Sequence, residues 1–262
     1  MADQHASARA DWAIELAGLR KTFLLQHHLA GSLKRAAVNL VRRRRAESRE
    51  VLRGIDLQIG RGETVALIGR NGSGKSTLLS LIARVYRPSA GVVRVNGRVA
   101  PLLELGAGFH PDLTGIENLE LYGALLGIPI ATLRARAPEI LEFAFDAPDL
   151  LEKADIPLRN YSDGMKMRLG FSIAVHTDPD ILIVDEVLAV GDEGFQQKCL
   201  RRIADFQKQG KTILFVSHDM HVVRRVASRA VWLHDGRVRM DDGVDTVVDA
   251  YIAAAEGSCP SS

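Results

Sequence analysis

A short pattern near residue 70 restricts the fold of this chain more than any other feature of its sequence. The apolar and β-branched run TVALI, at 64–68, leads directly into GRNGSGKST, whose residues 69–76 fit the spacing G-x-x-x-x-G-K-[ST]. Leucine and isoleucine residues follow it at helical spacing. A buried strand, a glycine-rich turn and a helix in this order form a loop whose backbone N–H groups converge on phosphate oxygens. The pattern therefore predicts an α/β fold with a phosphate-binding loop at the end of a strand.

The residue types of this loop suggest what it binds. Gly72 and Gly74 let the backbone approach phosphate oxygens, and the N-terminus of the following helix adds its partial positive charge. Lys75 is long enough to reach the β and γ phosphates, and Ser76 would ligate Mg²⁺. We therefore expect a nucleoside triphosphate with Mg²⁺ to be bound by the loop residues Gly69, Asn71, Gly72, Ser73, Gly74, Lys75, Ser76 and Thr77.

Strands alternate with helices along most of the remaining sequence, which predicts a mainly parallel sheet. The apolar runs ILIVDE (181–186) and TILFV (212–216) are each followed by a helical pattern. The segment AVWLHDGRVRM (230–240) predicts a hairpin, and so does GVVRVNGRVA (91–100), because Asn-Gly favours a tight turn. From about 115 to 150 the apolar periodicity is helical, which predicts a helical subdomain.

Two carboxylates and a histidine follow apolar strands, at the edge where open α/β sheets bind ligands. Asp185 and Glu186 end ILIVDE. Asp185 is suited to Mg²⁺, and Glu186 to orienting or deprotonating a water that attacks the γ-phosphate. His218, which follows LFVS, would contact the γ-phosphate or fix Glu186 and the water. The alternatives are two acids that merely end a strand at a solvent edge, and a structural or solvated histidine.

The bulk composition excludes several classes of protein. The 262 residues are 47% hydrophobic and 25% charged, which is typical of a soluble globular protein. No segment approaches the roughly 18 consecutive apolar residues that span a bilayer, and the first residues lack a signal-peptide core, so we expect a cytoplasmic chain. The net charge of +2 gives no reason to expect nucleic-acid binding. Cys199 and Cys259 are expected to be free thiols without a role.

The order of these motifs resembles the nucleotide-binding subunit of ABC transporters, over about residues 14–240. In that family the phosphate loop is followed by a helical subdomain, a signature usually written LSGGQ, a strand ending in Asp-Glu, a short loop ending in Asp, and a switch histidine. Here YSDGM (161–165), ILIVDE, AVGD and VSHD occur in the same order. The resemblance implies one ABC ATPase domain over 1–262. It would have a mainly parallel sheet, an antiparallel β subdomain, a helical subdomain at about 110–165, and a C-terminal helix and tail at 244–262.

The same resemblance implies a homodimer with ATP sandwiched between its two subunits. Ser162 and Gly164 of one subunit would hold the γ-phosphate bound by the loop of the other. Asp192 of AVGD would lie at the dimer interface and link the two sites. Phe23, in RKTF, is the best match to the aromatic residue on which adenine stacks. The resemblance thereby explains why the sequence has a second helix start suited to an anion, besides the one that follows the phosphate loop.

The sequence departs from the family pattern at two places. Tyr161, Asp163 and Met165 replace the usual Leu, one Gly and the Gln of the signature, and catalytic competence is still expected because the anion-contacting residues remain. The loop after GVVRVNGRVA lacks the Gln that contacts Mg²⁺ and the attacking water in the family. Glu104 is the nearest polar residue and would be a metal ligand in its place.

Three segments together resemble the ATPase subunits of bacterial polysaccharide exporters, which move O-antigen and teichoic acid: LLELGAGFHPDLTGIEN, YSDGMKMRLGFSIA and DEVLAVGDEGFQQKC. This implies a peripheral protein on the cytoplasmic face of the inner membrane, a separate transmembrane permease subunit, and lipid-linked polysaccharide as cargo. A C-terminal carbohydrate-binding domain, present in some members, is not expected here. The alternatives are a drug, lipid or nutrient as cargo, a non-transport ABC ATPase, and a plain phosphate-loop kinase or GTPase.

Positive charge is concentrated in a basic insertion at 24–50, which holds seven basic residues against two acidic ones. Within it, GSLKRAAVNLVRRRR places Leu33, Ala37, Leu40 and Val41 on one side of a short helix. Such a helix suits a membrane surface, so we expect it to meet anionic headgroups or the pyrophosphate of the lipid carrier. A solvated loop or a contact with the membrane subunit is the alternative.

Overall fold

The computed structural model describes residues 11–25, 47–103, 106–145, 154–185 and 192–256. Its strands are β1 (Trp12–Leu25), β2 (Glu47–Gly60), β3 (Thr64–Ile68), β4 (Ala90–Val95), β5 (Val99–Leu102), β6 (Ile181–Asp185), β7 (Thr212–Val216), β8 (Arg229–His234) and β9 (Arg237–Gly243). Its helices are α1 (Lys75–Ile82), α2 (Gly115–Leu125), α3 (Ile130–Ala144), α4 (Asp163–Val175), α5 (Glu193–Lys208), α6 (Met220–Val226) and α7 (Val244–Glu256), with a 3₁₀ turn at Leu158–Asn160. The expected alternation of strands and helices is confirmed.

The larger sheet contains six strands in the order β5-β6-β7-β3-β8-β9. Its neighbouring strands are parallel, except for the antiparallel hairpin of β8 and β9. The smaller sheet, β2-β1-β4, is antiparallel. The mainly parallel core with an antiparallel β subdomain is therefore confirmed. Because parallel strands align their carboxyl ends, β3, β6 and β7 deliver the residues that follow them to one edge of the sheet.

The hairpin predicted at residues 91–100 is wrong. Strand β4 pairs with β1 in the smaller sheet, whereas β5 pairs in parallel with β6 in the larger one. The Asn-Gly step instead crosses between the two sheets. The backbone N–H of Asn96 donates to the Ala13 carbonyl (2.8 Å), and that of Arg98 donates to the Asp180 carboxylate (2.8 Å). The dipeptide bends the chain as predicted, but distant strands supply the pairing partners on each side of it.

Both faces of the six-stranded sheet are buried, as is usual for a parallel sheet. Alternate residues of β3 belong to different cores. Ala66 and Ile68 pack with α4, α5 and α7, whereas Val65 and Leu67 pack with α1 and the smaller sheet. A third core joins α2 and α3 to another side of α4. Helix α4 therefore connects the helical layer to the sheet that carries the phosphate loop.

The basic insertion is described only at its edges. Residues 24 and 25 end β1 and residues 47–50 begin β2, while residues 26–46 lie outside the described residues. The helix with Leu33 and Leu40 on one side therefore stays a prediction. Within the described ranges, no helix combines the length and the apolar character needed to cross a membrane.

Candidate functional site

The phosphate loop lies where the sequence predicts it, between β3 and α1. All five residues of β3 are buried, and α1 begins at Lys75. The Lys75 Nζ atom donates to the carbonyl oxygens of Gly69 (2.7 Å) and Arg70 (3.2 Å), and the residue is only 7% exposed. An ammonium group held inside the loop on neutral carbonyls can exchange them for phosphate oxygens, because the negative charge of a phosphate attracts it more strongly than a carbonyl dipole does.

Two loop glycines occupy positions where a side chain would collide with the core. Gly74 has φ 107°, and a Cβ atom there would lie 2.6 Å from Cδ2 of Leu52. Gly69 has φ 149°, and its Cβ atom would lie 2.3 Å from the carbonyl oxygen of Leu233. The bare backbone therefore packs against β2 and β8, and the first N–H groups of α1 have no partner within the helix. The remaining predicted loop residues are exposed or half-buried: Asn71, Gly72, Ser76 and Thr77.

The turn of the β8–β9 hairpin supports the phosphate loop, a contact that sequence reasoning missed. The N–H of Gly236 donates to the Ser73 carbonyl (3.2 Å), and the Gly236 carbonyl accepts from the N–H of Arg53 (2.8 Å). Ser73 Oγ is buried, and it has no hydrogen-bond partner among the described residues. A buried hydroxyl without a partner costs about 1–3 kcal/mol. A phosphate oxygen or a water bound in the loop would satisfy it.

Three strand ends meet beside the loop. Val216, at the end of β7, is paired with Leu67 of β3 on one side and with Asp185 of β6 on the other. Because neighbouring strands lie about 4.8 Å apart, the Asp185 backbone is roughly 10 Å from the strand that enters the loop. The exposed His218 follows Val216 by two residues. The fold thus places Asp185 and His218 at the edge of the sheet where the loop begins, whereas the predicted base Glu186 lies outside the described residues.

Oxygen atoms at the loop and at the end of β6 suit a magnesium ion. Ser76 is exposed in the first turn of α1, and Asp185 is half-buried. A hydroxyl and a carboxylate are hard ligands, and Mg²⁺ usually takes only one or two carboxylates together with substrate phosphates and water. This donor set fits Mg²⁺ bound with a nucleotide. The third predicted ligand, Glu104, lies outside the described residues.

The start of α4 has the features of a second anion site. Ser162 is its N-cap residue, and Oγ accepts a hydrogen bond from the N–H of Met165 (3.2 Å). The hydroxyl can still donate, and the first N–H groups of a helix have no acceptor within it. Gly164 does not have a left-handed φ, and among the described atoms its Cβ would meet only Ser162 Oγ, at 3.9 Å. No packing requirement of the subunit itself explains this glycine.

Helix α4 is also linked to the start of α5, which sequence reasoning did not anticipate. The Arg168 guanidinium donates to the Asp192 carboxylate and lies over the Phe195 ring, 5.3 Å from its centre. Oδ1 of Asp192 also caps α5 by accepting from the N–H of Phe195 (2.9 Å). The N–H of Phe195 first, and then Arg168, lower the pKa of Asp192. The carboxylate is thus held in its charged form between the two helices.

Phe23 lies near the end of β1, in contact with Tyr86. The two rings meet edge to face with centres 5.5 Å apart, and the ammonium of Lys21 lies 4.8 Å from the Phe23 centre and 5.3 Å from that of Tyr86. Phe23 is half-buried and Tyr86 is exposed. The pair offers aromatic surface beside β2, where Phe23 is paired with Arg49. Stacking of adenine on Phe23 stays a prediction.

Comparison with known sequences decides the family. The sequence pattern of the ABC transporter family matches residues 52–189, which is more than half of the chain. The chain belongs to the ABC transporter family. The matched range contains the phosphate loop, the start of α4 and the end of β6, so the resemblance stated from the motifs alone is confirmed.

Similar ABC proteins carry names that refer to polymer export. The O-antigen export system ATP-binding protein RfbB of Klebsiella pneumoniae is 43% identical over 244 residues, which are 91% of this chain and 96% of that protein. RfbB of Myxococcus xanthus is 53% identical over 188 residues, 72% of this chain and 42% of that protein. The teichoic acids export ATP-binding protein TagH of Bacillus anthracis is 44% identical over 200 residues, 76% of this chain and 36% of that protein. The chain therefore spans nearly all of the first relative and less than half of the other two.

Solved ABC structures share the fold. A dimeric ATP-binding cassette in a post-hydrolysis state, bound to ADP and Pi, superposes with a TM-score of 0.70 at 23% identity, over 88% of this chain and 98% of that one. An ATP-binding subunit of an ABC transporter superposes with a TM-score of 0.71 at 24% identity, over 91% of this chain and 93% of that one. The ABC ATPase fold expected from the motifs is confirmed.

Proposed function

We propose that this protein is the ATP-hydrolysing, nucleotide-binding subunit of an ABC exporter that drives lipid-linked polysaccharide across the bacterial inner membrane. The names of its relatives, which refer to O-antigen and teichoic acid export, support the cargo. The proposal includes a separate transmembrane permease as partner and a peripheral position on the cytoplasmic face of the membrane. A drug, lipid or nutrient as cargo is the alternative.

One observation carries the proposed mechanism: the start of α4 is built like an anion site but holds a glycine that its own subunit does not need. A glycine weakens a helix by about 1 kcal/mol relative to alanine. The space beside Gly164 is open, with only Ser162 Oγ within 4 Å among the described atoms. A group from a second subunit would need that space. We therefore propose a homodimer in which Ser162 and Gly164 contact the γ-phosphate of ATP held by the phosphate loop of the other subunit.

ATP binding uses groups that the phosphate loop already presents. Lys75 would release the carbonyl oxygens of Gly69 and Arg70 and donate to the β and γ phosphates, while the first N–H groups of α1 hold phosphate oxygens. Ser76 and Asp185 would hold Mg²⁺, with Glu104 as a further ligand. When bound, the ion neutralises phosphate charge. We also propose that the adenine ring of this ATP stacks on Phe23.

Hydrolysis requires a water that attacks in line with the bond to the leaving ADP. Glu186 takes a proton from this water as its oxygen bonds to the γ-phosphorus, and the bond to the β-phosphate oxygen breaks to give ADP and phosphate. His218, at the end of the neighbouring strand β7, fixes Glu186 and the water. Loss of the γ-phosphate removes the anion that holds the two subunits together. Closure and reopening of the dimer would then move the permease.

The first test is the oligomeric state of the Glu186→Gln protein, measured by light scattering with and without Mg-ATP. This variant should bind ATP and hydrolyse it slowly, so we expect a shift from monomer to dimer on addition of Mg-ATP. Introducing Ser162→Arg into the same protein should abolish the shift, because arginine would fill the space at the start of α4. Thr132→Arg, an exposed substitution in the first turn of α3, is the matched control and should leave the shift intact.

Two results would contradict the proposal. If the Ser162→Arg protein dimerised as readily as its parent, the start of α4 would have no role across the dimer.

The cargo is tested separately, with the permease and this protein reconstituted together in vesicles. Lipid-linked polysaccharide should stimulate ATP hydrolysis there, and stimulation by a drug or a nutrient alone would favour the alternative.

A further inference from the structure

The start of α4 carries a negative charge of its own. Asp163 is the first residue of the helix, and its side chain is 90% exposed. A carboxylate in the first turn is favoured by the helix dipole, so it suits the isolated subunit. The same carboxylate would repel a phosphate that approaches Ser162 and Gly164. A functioning site therefore needs a positive charge beside Asp163.

Lys166 supplies that charge. Its Nζ atom lies 3.2 Å from Oδ1 of Asp163, and the Lys166 side chain is 36% exposed. Helical side chains point back toward the N-terminus, so a lysine one turn into α4 places its ammonium at the start of the helix. A cation is unfavourable at that end of a helix dipole unless an anion accompanies it. In the part of the chain that the structure describes, Asp163 is the one acid that pairs with Lys166.

We infer that Lys166 binds the γ-phosphate of the nucleotide held by the other subunit, and that Asp163 holds its ammonium until that phosphate arrives. On closure, the ammonium exchanges one exposed carboxylate for a more highly charged phosphate group and keeps its position at the start of α4. Asp163 is left in solvent. ADP has no γ-phosphate to offer, so the exchange occurs with ATP alone. Lys166 thereby makes dimer closure depend on the γ-phosphate.

This inference rests on the proposed function, because it deepens the composite site of Ser162 and Gly164. It gives Asp163, which replaces a glycine of the usual signature, a role of its own. Asp163 competes with the phosphate for Lys166 and so sets the ATP concentration at which the dimer closes. Asp163 and Lys166 should therefore act on closure in opposite directions.

The test is a double-mutant cycle in the Glu186→Gln protein, with light scattering against ATP concentration as the measurement. Asp163→Ser should lower the ATP concentration for half-maximal dimerisation by about 3- to 10-fold, because it removes a repelling charge and a competitor. Lys166→Gln should raise it by about 10-fold, because a charge-assisted hydrogen bond to phosphate is lost. In the Asp163→Ser background, Lys166→Gln should raise it by a larger factor, because the competing carboxylate is then absent.

The last step of the cycle can overturn the inference. If Lys166 merely neutralised Asp163, Lys166→Gln would have no effect once Asp163 is serine. The variants without Lys166 should also show a weaker dependence of closure on salt concentration than their parents, a readout that loss of helix stability alone would not move. An unchanged salt dependence would contradict the inference.

A matched ion pair provides the control, and the Ser162→Arg variant separates the inference about Lys166 from the proposed composite site. Asp205 and Lys208 on α5 form the same kind of exposed pair at the same spacing, with 3.6 Å between their charged atoms. Asp205→Ser and Lys208→Gln should leave dimerisation unchanged. If Ser162→Arg blocks closure while Lys166→Gln does not alter it, the inference fails and the composite site stands. If Ser162→Arg does not block closure, both fail together.

Discussion

The guanidinium of Arg168 binds the carboxylate of Asp192, and so joins the helix that begins at the signature to the helix that begins after the Asp185 strand. Arg168 also lies over the ring of Phe195, which anchors it to α5 through packing as well as charge. The start of α4 belongs to the proposed site for the other subunit's nucleotide. Asp185 belongs to the site for the subunit's own nucleotide. The pair therefore connects the two kinds of site within one subunit.

We predict that Arg168→Gln weakens the connection between the two sites more than it weakens the fold. Hydrolysis should fall by about 10-fold, since one charge-assisted contact that orients the site is worth about that factor. The melting temperature should fall by only about 2–4 °C, because Asp192 is 66% exposed and Arg168 is 21% exposed, and a partly exposed ion pair is worth about 1 kcal/mol or less. Steady-state hydrolysis and thermal unfolding of the same protein preparation measure the two effects.

An ion pair elsewhere provides the control for Arg168. Arg134 makes two hydrogen bonds, 2.7 and 3.0 Å long, to the Glu120 carboxylate, and so joins α3 to α2 and not α4 to α5. Arg134→Gln should leave hydrolysis within about twofold of the wild type. Equal losses of hydrolysis in the Arg134 and Arg168 variants would show that Arg168 acts through general stability alone.

Gly164→Ala should make the subunit more stable and at the same time weaken its dimerisation. Because alanine favours helix, the free energy of unfolding should rise by up to about 1 kcal/mol. Dimerisation with ATP in the Glu186→Gln protein should be strongly reduced, because the methyl group enters the space proposed for the other subunit's γ-phosphate. Gly243→Ala, at a position with open space around it, is the control and should dimerise normally. A Gly164→Ala protein that is stabilised and still dimerises would refute the proposed contact.

Removal of magnesium, or of its proposed ligands, should affect hydrolysis far more than nucleotide affinity. Chelation with EDTA should abolish hydrolysis. Asp185→Asn should reduce hydrolysis by more than about 100-fold, because an amide lacks the negative charge with which the carboxylate would hold Mg²⁺. Lys75 and the N–H groups of the loop remain, so binding of a fluorescent ATP analogue should weaken by only about 10-fold. A variant that hydrolyses ATP normally would exclude Asp185 as a metal ligand.

Short sequence patterns were sufficient to predict the elements whose structure depends on residues close together in the chain. The phosphate loop could be predicted because its glycines, Lys75 and the flanking strand and helix all lie within about twenty residues. The start of α4 could be predicted because Ser162 is a favourable N-cap residue. The edge position of Asp185 and His218 followed from strand order in a parallel sheet. Each of these predictions used contacts between near neighbours or a general rule of topology.

Contacts between distant segments could not be predicted in the same way. The Asn-Gly step at Asn96 predicted a turn correctly but not its partners, because strand pairing depends on which apolar faces other strands bury. The hydrogen bond from Gly236 to Ser73 joins residues more than 160 positions apart. The pair of Arg168 and Asp192 spans 24 positions and has no sequence signal beyond two opposite charges. Such contacts depend on the assembled sheet and its helices.

His176, at the C-terminal end of α4, makes stability depend on pH. The residue is buried; its Nδ1 lies 2.6 Å from the Ser172 carbonyl oxygen, and its Nε2 lies 3.5 Å from Glu139 of α3. Burial is the largest effect and lowers the pKa of His176 from its usual 6.5. The cations Arg136 of α3 and Arg202 of α5 act in the same direction, whereas Glu139 and the Ser172 carbonyl oppose them.

The sign of the pH dependence follows from this lowered pKa. Because the unfolded chain binds a proton at His176 more readily than the folded one, the contribution to stability is complete above pH 6.5 and is lost as the pH falls toward the folded pKa. Between about pH 7.5 and 5.5, the unfolding free energy of the wild type should therefore fall more steeply than that of His176→Gln. Urea unfolding at both pH values measures this slope. Substitution of the exposed His221 by Gln is the control and should leave the slope as in the wild type. If the slope of His176→Gln also equalled that of the wild type, the pKa of His176 would not differ between the folded and unfolded states.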